Sequence, residues 1–217
     1  MRISVLITTC NRAEFLRRCL EGYLRQAEGG FEIVISDDGS ADATPRVVSA
    51  FKARAPFPVR YLWQKRNGHR RALAINRAIA AARYQWLLFS DCDSIPHRDL
   101  VAIHRQEAEP DRLLCGGRVL LEKTFTEQLN LEQVQKGSFE KRLTKARKVA
   151  LYRQHIKNRL YIAVGKERRP HNYGVNMSCA QGAMKRVNGY DHNFQGWGNA
   201  DGDVRDRMRM AGIEPKC

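Results

Sequence analysis

Trp86-Leu87-Leu88-Phe89-Ser90-Asp91-Cys92-Asp93-Ser94 begins as an apolar run and ends in two carboxylates. An apolar run this short, bounded by polar residues, reads as a buried strand over 85–89 that delivers Asp91 and Asp93 to its carboxyl end. Similar signals recur upstream at 3–8, 31–36 and 59–63. Helix-periodic stretches lie between them: one with Leu16, Cys19, Leu20, Tyr23 and Leu24 as its stripe, one starting at Thr44-Pro45, and an alanine-rich one over 71–83. Asn11, with Glu14 three residues on, is the expected cap of the first helix. Strand and helix alternate as in an α/β fold with a parallel sheet, and polar motifs follow successive strands. Ligands of open α/β sheets bind at that edge.

The alternation loosens after residue 121. Residues 122–170 lack clean strand signals and carry Leu143, Val149, Leu151, Tyr152, Ile156 and Leu160 among many cations, predicting one or two inserted amphipathic helices. The pattern resumes with a strand at 175–179, a helix over 182–187, an Asn188-Gly189 turn and a final helix over 201–211 stopped by Gly212. No strand is expected after it, so the chain reads as cut short within the fold. A single domain over 1–217 is expected, in three parts: 1–121, the basic insertion at 122–170, and 171–217.

The 217 residues suffice for one buried core. Six cysteines show no Cys-x-x-Cys or other zinc spacing, and several fall in apolar runs, as free thiols in a reducing compartment do. The apolar run before Thr8 is too short for a signal-peptide core or a membrane span, so a soluble or peripheral cytoplasmic protein is expected. The net charge of +15 is uneven: residues 136–169 hold twelve Lys or Arg against Glu140 and Glu167. Such a block reads either as a solvated helical face or as a surface for anionic lipid, phosphorylated glycan or nucleic acid.

Asp91 and Asp93 form either a turn before Pro96 or a site for one hard divalent cation, magnesium or manganese, with open positions for phosphate oxygens. Asp37-Asp38-Gly39-Ser40 suits a plain turn, or a carboxylate offered to a base or ribose. The first strand is not followed by Gly-x-Gly-x-x-Gly, which argues against nicotinamide or flavin chemistry. In Asn67-Gly68-His69-Arg70-Arg71, a turn enters a helix with two cations, suited to a diphosphate or to plain solvation. Gly196-Trp197-Gly198 sets an indole between glycines, either as a sugar platform or as a buried ring. Asp201 follows near a helix start as a cap or a proton acceptor. His69, His97, His104 and His171 show no metal-ligand spacing and are given no role.

In series these stretches resemble the nucleotide-sugar glycosyltransferases of GT-A fold family 2. The carrying residues are Ser4-Val5-Leu6-Ile7-Thr8-Thr9-Cys10-Asn11-Arg12, Asp37-Asp38-Gly39-Ser40, residues 71–76 and Asp91-Cys92-Asp93. Residues 182–190 and 196–203 are similar to the catalytic segment of galactosyl- and N-acetylgalactosaminyltransferases. The resemblance implies a GT-A mixed sheet flanked by helices, Rossmann-like, with the basic helical insertion at 122–170 between a nucleotide-binding part at 1–121 and an acceptor and catalytic part at 171–217. It implies Asp38 at the nucleotide base or ribose with Thr8 and Arg12 in the same pocket, Arg71 near the diphosphate, Asp91 near the ribose, and Asp93, with Asp91, at Mn2+ or Mg2+. Asp201 would be the catalytic base of an inverting reaction, and Trp197, Gly198 and Asp203 would meet the acceptor. Ala200 stands where the pattern has Glu. A metal-binding His downstream of this helix, frequent in relatives, is also missing from the sequence.

The expected activity is metal-dependent transfer of a hexose or N-acetylhexosamine from a nucleotide-diphosphate sugar, UDP-linked, to a glycan or lipid-linked acceptor in surface polysaccharide or lipopolysaccharide synthesis. Residues 136–169 would touch an anionic membrane at its inner face. The alternative from another class is an inactive scaffold that binds an anionic surface or nucleic acid, with nucleic acid the less favoured partner. A nucleotidyltransferase would also present acids for a metal-bound nucleotide, but leaves Trp197 and Asp201 unexplained.

Overall fold

Period-2 alternation along the strands divides their side chains between two cores, one on each face of a single sheet. The computed structural model describes residues 1–166, 169–171, 174–194 and 199–217. Seven strands, β1 (Ile3–Thr9), β2 (Phe31–Asp37), β3 (Val59–Trp63), β4 (Trp86–Asp91), β5 (Arg112–Cys115), β6 (Met177–Ala180) and β7 (Glu214–Lys216), form a sheet ordered β3-β2-β1-β4-β6-β5-β7. β1 lies parallel to β2 and β4, and β2 to β3, whereas β6 runs antiparallel to both β4 and β5. The order reverses between β1 and β4, with Thr8 in register with Asp91, and that is where an open α/β sheet forms its crevice.

Ile3, Val5 and Ile7 of β1, Ile33 and Ile35 of β2 and Leu88 of β4 face one core, closed by helices α1 (Ala13–Leu24) and α2 (Thr44–Lys52). Leu6, Val34, Leu87 and Phe89 face the other, covered by α3 (Arg71–Ala81), α8 (Gln181–Arg186) and α9 (Ala200–Met210). Each such fully buried aliphatic side chain contributes on the order of 2 kcal/mol. α4 (Leu100–Gln106) precedes β5 and buries Val101 and His104. The insertion holds α5 (Lys123–Gln128), α6 (Leu131–Gln135), a 3-10 turn at Ser138–Arg142 and α7 (Lys145–Ala163). Leu129, Val134 and Phe139 form its small satellite core.

The insertion is therefore richer in helix than the one or two segments expected. α4 and β5 were not read from the sequence, and β7 replaces the expected strandless end: Arg112 to Leu114 pair in parallel with Glu214 to Lys216. Asn11 does not cap α1. Its φ is 49°, its Oδ1 accepts from the Ala41 N–H at 2.8 Å, and the Ala13 N–H at the helix start donates instead to Asp42 Oδ2 at 3.0 Å. The cap comes from the next strand–helix loop, which no local pattern contains.

His104, without a role in the sequence reading, is buried and knits β4 and β6 together. Its Nδ1 lies 2.7 Å from Ser178 Oγ, which also accepts from Trp86 Nε1 at 3.1 Å, and its Nε2 lies 2.7 Å from Asn176 Oδ1. Asn176 in turn donates to the Gly117 carbonyl at 2.7 Å. Burial pushes the His104 pKa below its ordinary 6.5, and the Asn176 contact offsets only part of this. The unfolded chain takes up this proton at a higher pH than the folded one. The contribution of His104 to stability is therefore complete above about 6.5 and is lost as the pH falls through the folded value. Urea titrations at pH 7.5 and 5.5 are expected to show a larger stability loss in the native protein than in His104→Gln; equal losses would remove His104 from the acid response.

Candidate active site

α3 and α9 pack on the same face of the sheet through Ile75, Ala78, Val204 and Met208, so their first residues meet at the carboxyl edge of β4. Arg71 opens α3, and Asp201 lies in the first turn of α9. The Arg71 guanidinium reaches Asp91 Oδ1 with Nη2 at 3.2 Å and Asp201 Oδ1 with Nη1 at 3.4 Å. Burial disfavours its charge, but the two carboxylates outweigh that and raise its pKa, so it stays a cation. Burial raises the Asp91 pKa; Arg71 pulls it back, and Asp93 and Asp201 push it up again. Three carboxylates therefore share one electrostatic environment at the strand end, with Arg71 at its centre.

Two further donors orient Asp201. Tyr190 Oη donates to Oδ1 at 2.9 Å, and the Gly174 N–H to Oδ2 at 3.2 Å. Tyr190 is held by Asn76, which donates from Nδ2 to its carbonyl at 2.7 Å and accepts its N–H on Oδ1 at 2.8 Å. The preceding Gly189 has φ of +67°, and a Cβ there would stand 2.5 Å from Asn76 Oδ1, so this turn accepts only glycine. Burial, with the Asp201 charge beside it, raises the Tyr190 pKa well above its ordinary value and keeps the phenol a donor. At Gly174 a Cβ would lie 2.6 Å from Asp201 Oδ1 and 2.7 Å from Arg71 Nη2. Tyr190, Asn76 and Gly174 were not given roles from sequence. The signals nearest to them are the stretches 71–76 and 182–190, which end at Asn76 and Tyr190, and the Asn188-Gly189 turn.

The loop after β2 supports the other side of the crevice. Asp37 is spent internally: Oδ1 accepts from Ser40 N at 2.8 Å and Ser40 Oγ at 2.7 Å, and Oδ2 from the Tyr61 hydroxyl. Burial and this bond raise the Tyr61 pKa. Asp38 is buried at 4% exposure and accepts from Gln64 Nε2 and, at 2.7 Å, from the Arg70 N–H. It therefore secures the start of α3 and with it Arg71. Thr8 is half-buried in β1, between Ser36 and Asp91 in register.

Asp93 is half exposed beyond β4, and Arg12 Nη1 lies 3.8 Å from its Oδ2. The two acids of the strand end thus have separate cationic partners, Arg71 and Arg12. Among the described residues no group of three His, Cys, Asp or Glu is arranged to hold a metal ion. A magnesium- or manganese-type ion still fits Asp93 and Asp91, because such ions take one or two carboxylates and complete their shell with water and substrate phosphates. Asp203 is engaged by Arg207 one turn on, at 2.6 and 2.9 Å. Trp197 and Gly198 lie outside the described residues.

Residues 4–186 match the family described as Glycosyl transferase family 2, and residues 158–216 the one described as N-terminal domain of galactosyltransferase. Validoxylamine A glucosyltransferase of Streptomyces hygroscopicus subsp. jinggangensis is 28% identical over 97% of this chain and 52% of its own length. Chondroitin synthase of Escherichia coli is 23% identical over 97% of this chain and 32% of its own. The chain thus spans about half or less of the length of the curated relatives it matches. A mannosyltransferase from Pyrobaculum calidifontis, solved with GDP-Man and Mn2+, superposes with a TM-score of 0.69 at 19% identity, over 99% of this chain and 53% of that one. S. aureus TarS 1–349 in complex with UDP gives 0.62 at 16% identity, over 99% and 57%. With its match running through most of its length, the chain belongs to glycosyl transferase family 2 and has the GT-A fold.

Proposed function

We propose that this site transfers a sugar, with inversion, from a nucleoside-diphosphate donor, UDP-linked, to a hydroxyl of a glycan or glycolipid acceptor. The observation that carries the reading is the Arg71 bridge, 3.2 Å from Asp91 and 3.4 Å from Asp201, which joins the strand-end acids to the acid of the first turn of α9. The solved structures with GDP-Man and Mn2+ and with UDP, similar in fold, support a nucleotide-linked donor. Donor binding falls to the loops after β1, β2 and β4. Arg12 and Arg71 supply positive charge for the diphosphate, and Asp38 supports the start of α3.

In the step, the acceptor oxygen attacks the anomeric carbon and the bond from that carbon to the phosphate oxygen breaks, its electron pair leaving with the diphosphate. The hydroxyl proton passes to Asp201. Attack opposite the leaving group inverts the sugar configuration. The bonds from Tyr190, Gly174 and Arg71 fix the direction of the Asp201 carboxylate and therefore the side from which the acceptor approaches. A divalent ion held by Asp93 and Asp91 would supply charge neutralisation for the departing diphosphate.

Calorimetric titration with UDP, GDP, dTDP and ADP, with and without manganese, is expected to show manganese-dependent binding of one of them, UDP first, lost in Asp93→Ala. Manganese-independent binding that Asp93→Ala retains would remove the metal role of Asp93. Failure of all four to bind the folded protein would favour a scaffold without transferase activity.

Asp201→Asn is expected to keep donor affinity within about twofold and to lower turnover by about 10²–10⁴-fold, the range for loss of a general base. Unchanged turnover would place the base elsewhere. Gly174→Ala is expected to lower kcat by more than it weakens the donor Kd, because its methyl group displaces Asp201 and one diphosphate-side cation, Arg71, and leaves the β1 and β2 loops in place. Wild-type kcat in this variant would show that the close packing of Gly174 on Asp201 is not needed for turnover.

A further inference from the structure

Helix α7 shows its solvent side where a buried element would show apolar contacts. At 100° per residue, Arg147, Leu151, Gln154, Asn158, Tyr161 and Ile162 fall on one side, and these are its buried or half-buried positions. Gln154 Nε2 donates to Asn158 Oδ1 at 2.9 Å, and Leu151 packs over Gly117, so this side faces the fold. The opposite side carries Val149, Tyr152, Ile156 and Leu160, continued by Val164 just past the helix, with exposures from 41% to 73%. An apolar stripe of nearly three turns therefore points away from the protein.

Cations border it. Lys148 and Arg159 lie along one margin and Lys157 along the other, while Lys145 and Arg153 sit within the arc, where their long stems can lie along the apolar surface with the charge lifted off it. From Lys141 to Lys166 there is no Asp or Glu. Among the described residues, Arg147 is the one cation of α7 with a carboxylate partner, Glu122 at 2.9 Å, and it lies toward the inner side. No described helix is long and apolar enough to cross a membrane. Apolar side chains flanked by unneutralised cations on one helix face fit a lipid–water interface with anionic headgroups: the chains enter the acyl boundary and the cations meet the phosphates. A nucleic acid would use the cations and leave the aliphatic stripe wet. A second copy of this chain would place one carboxylate-free cationic face against another.

We propose that the outer face of α7 docks the protein on an anionic lipid surface, with Val149, Ile156 and Leu160 inserted and Lys148, Lys157 and Arg159 on the headgroups. The stretch that follows the helix is tied to the proposed site, since Arg209 Nη1 donates to the Lys166 carbonyl at 3.0 Å and Arg205 Nη1 to the Pro170 carbonyl at 2.7 Å, both from α9. Docking would thus set the orientation of α9, and of Asp201 with it, relative to the membrane plane. The surface proposal itself does not depend on the transferase reading.

The test is co-sedimentation of the whole chain with phosphatidylcholine vesicles, with and without phosphatidylglycerol. Binding is expected only with phosphatidylglycerol and is expected to weaken with salt. Two variants separate the contributions: Val149→Ser/Ile156→Ser/Leu160→Ser, and Lys148→Gln/Lys157→Gln/Arg159→Gln. Each is expected to melt as the native protein does, since all six positions are exposed. The charge variant should lose on the order of 100-fold in vesicle affinity, the sum of three headgroup contacts, and the serine variant at least about tenfold. Ile156→Trp should show a blue-shifted emission change on adding the anionic vesicles. Equal vesicle binding by the serine variant would overturn insertion. Oligonucleotide binding stronger than vesicle binding, or a dimer in sedimentation equilibrium that the serine variant abolishes, would assign the face to nucleic acid or to self-association and overturn the proposal.

Discussion

One half-buried cation between two carboxylates ties the halves of this chain together. Arg71 lies at the head of a helix in the first third of the sequence, Asp91 ends the central strand β4, and Asp201 begins the helix that precedes the last strand. Without the guanidinium, Asp91, Asp93 and Asp201 would repel one another in an environment that already opposes charge on Asp91. Removing one member of such a partly buried cluster leaves the others uncompensated, and the loss is larger than the net worth of the pairs themselves. The same contact sets the distance between the donor edge of the sheet and the acid on α9.

What positions Arg71 is spread along the chain. Asp38, after β2, accepts the Arg70 N–H and so pins the entry to α3, and Gln64 after β3 holds Asp38 in turn. On the far side, Asn76 binds the backbone of Tyr190 and Tyr190 holds Asp201, so α3 controls the acid twice, directly and through a phenol. At the tight turn of Gly189, Asn76 leaves no room for a Cβ. These links explain why residues far apart in sequence recur as a series, although each alone is an ordinary turn or cap.

The sheet was legible because its signals are local. Ile3, Val5 and Ile7 alternate with Leu6, and β4 ends at the acid where its apolar run ends. The strand-end acids and Asp201 were legible for the same reason, as polar residues where strands stop or a helix starts. What escaped reading depends on partners distant in sequence. β7 is three residues, Glu214–Lys216, made a strand only by the neighbouring β5, itself four residues long. The cap of α1 comes from Asp42, about thirty residues beyond the expected Asn11. Arg71 read from sequence as a diphosphate ligand or a solvated cation; the structure gives it two carboxylate partners already in place.

The charge of the molecule divides into two populations that serve different ends. Around the crevice, arginines stand against acids: Arg12 with Asp93, Arg70 with Asp38, and Arg71 with Asp91 and Asp201. These pairs spend positive charge on geometry, holding the strand-end acids and the acid of α9 in place. On α7 the balance is reversed, with one carboxylate pair on the inner side and cations without such partners among the described residues on the outer. The excess positive charge of the chain is therefore carried at its periphery, on a face that also exposes aliphatic side chains. A purely electrostatic surface needs no such apolar stripe, and a merely solvated helix gains nothing from displaying one. The two features are compatible when the medium facing the helix is itself anionic at its surface and apolar beneath, and the ties from α9 to the stretch after α7 would give that medium a set orientation to the site.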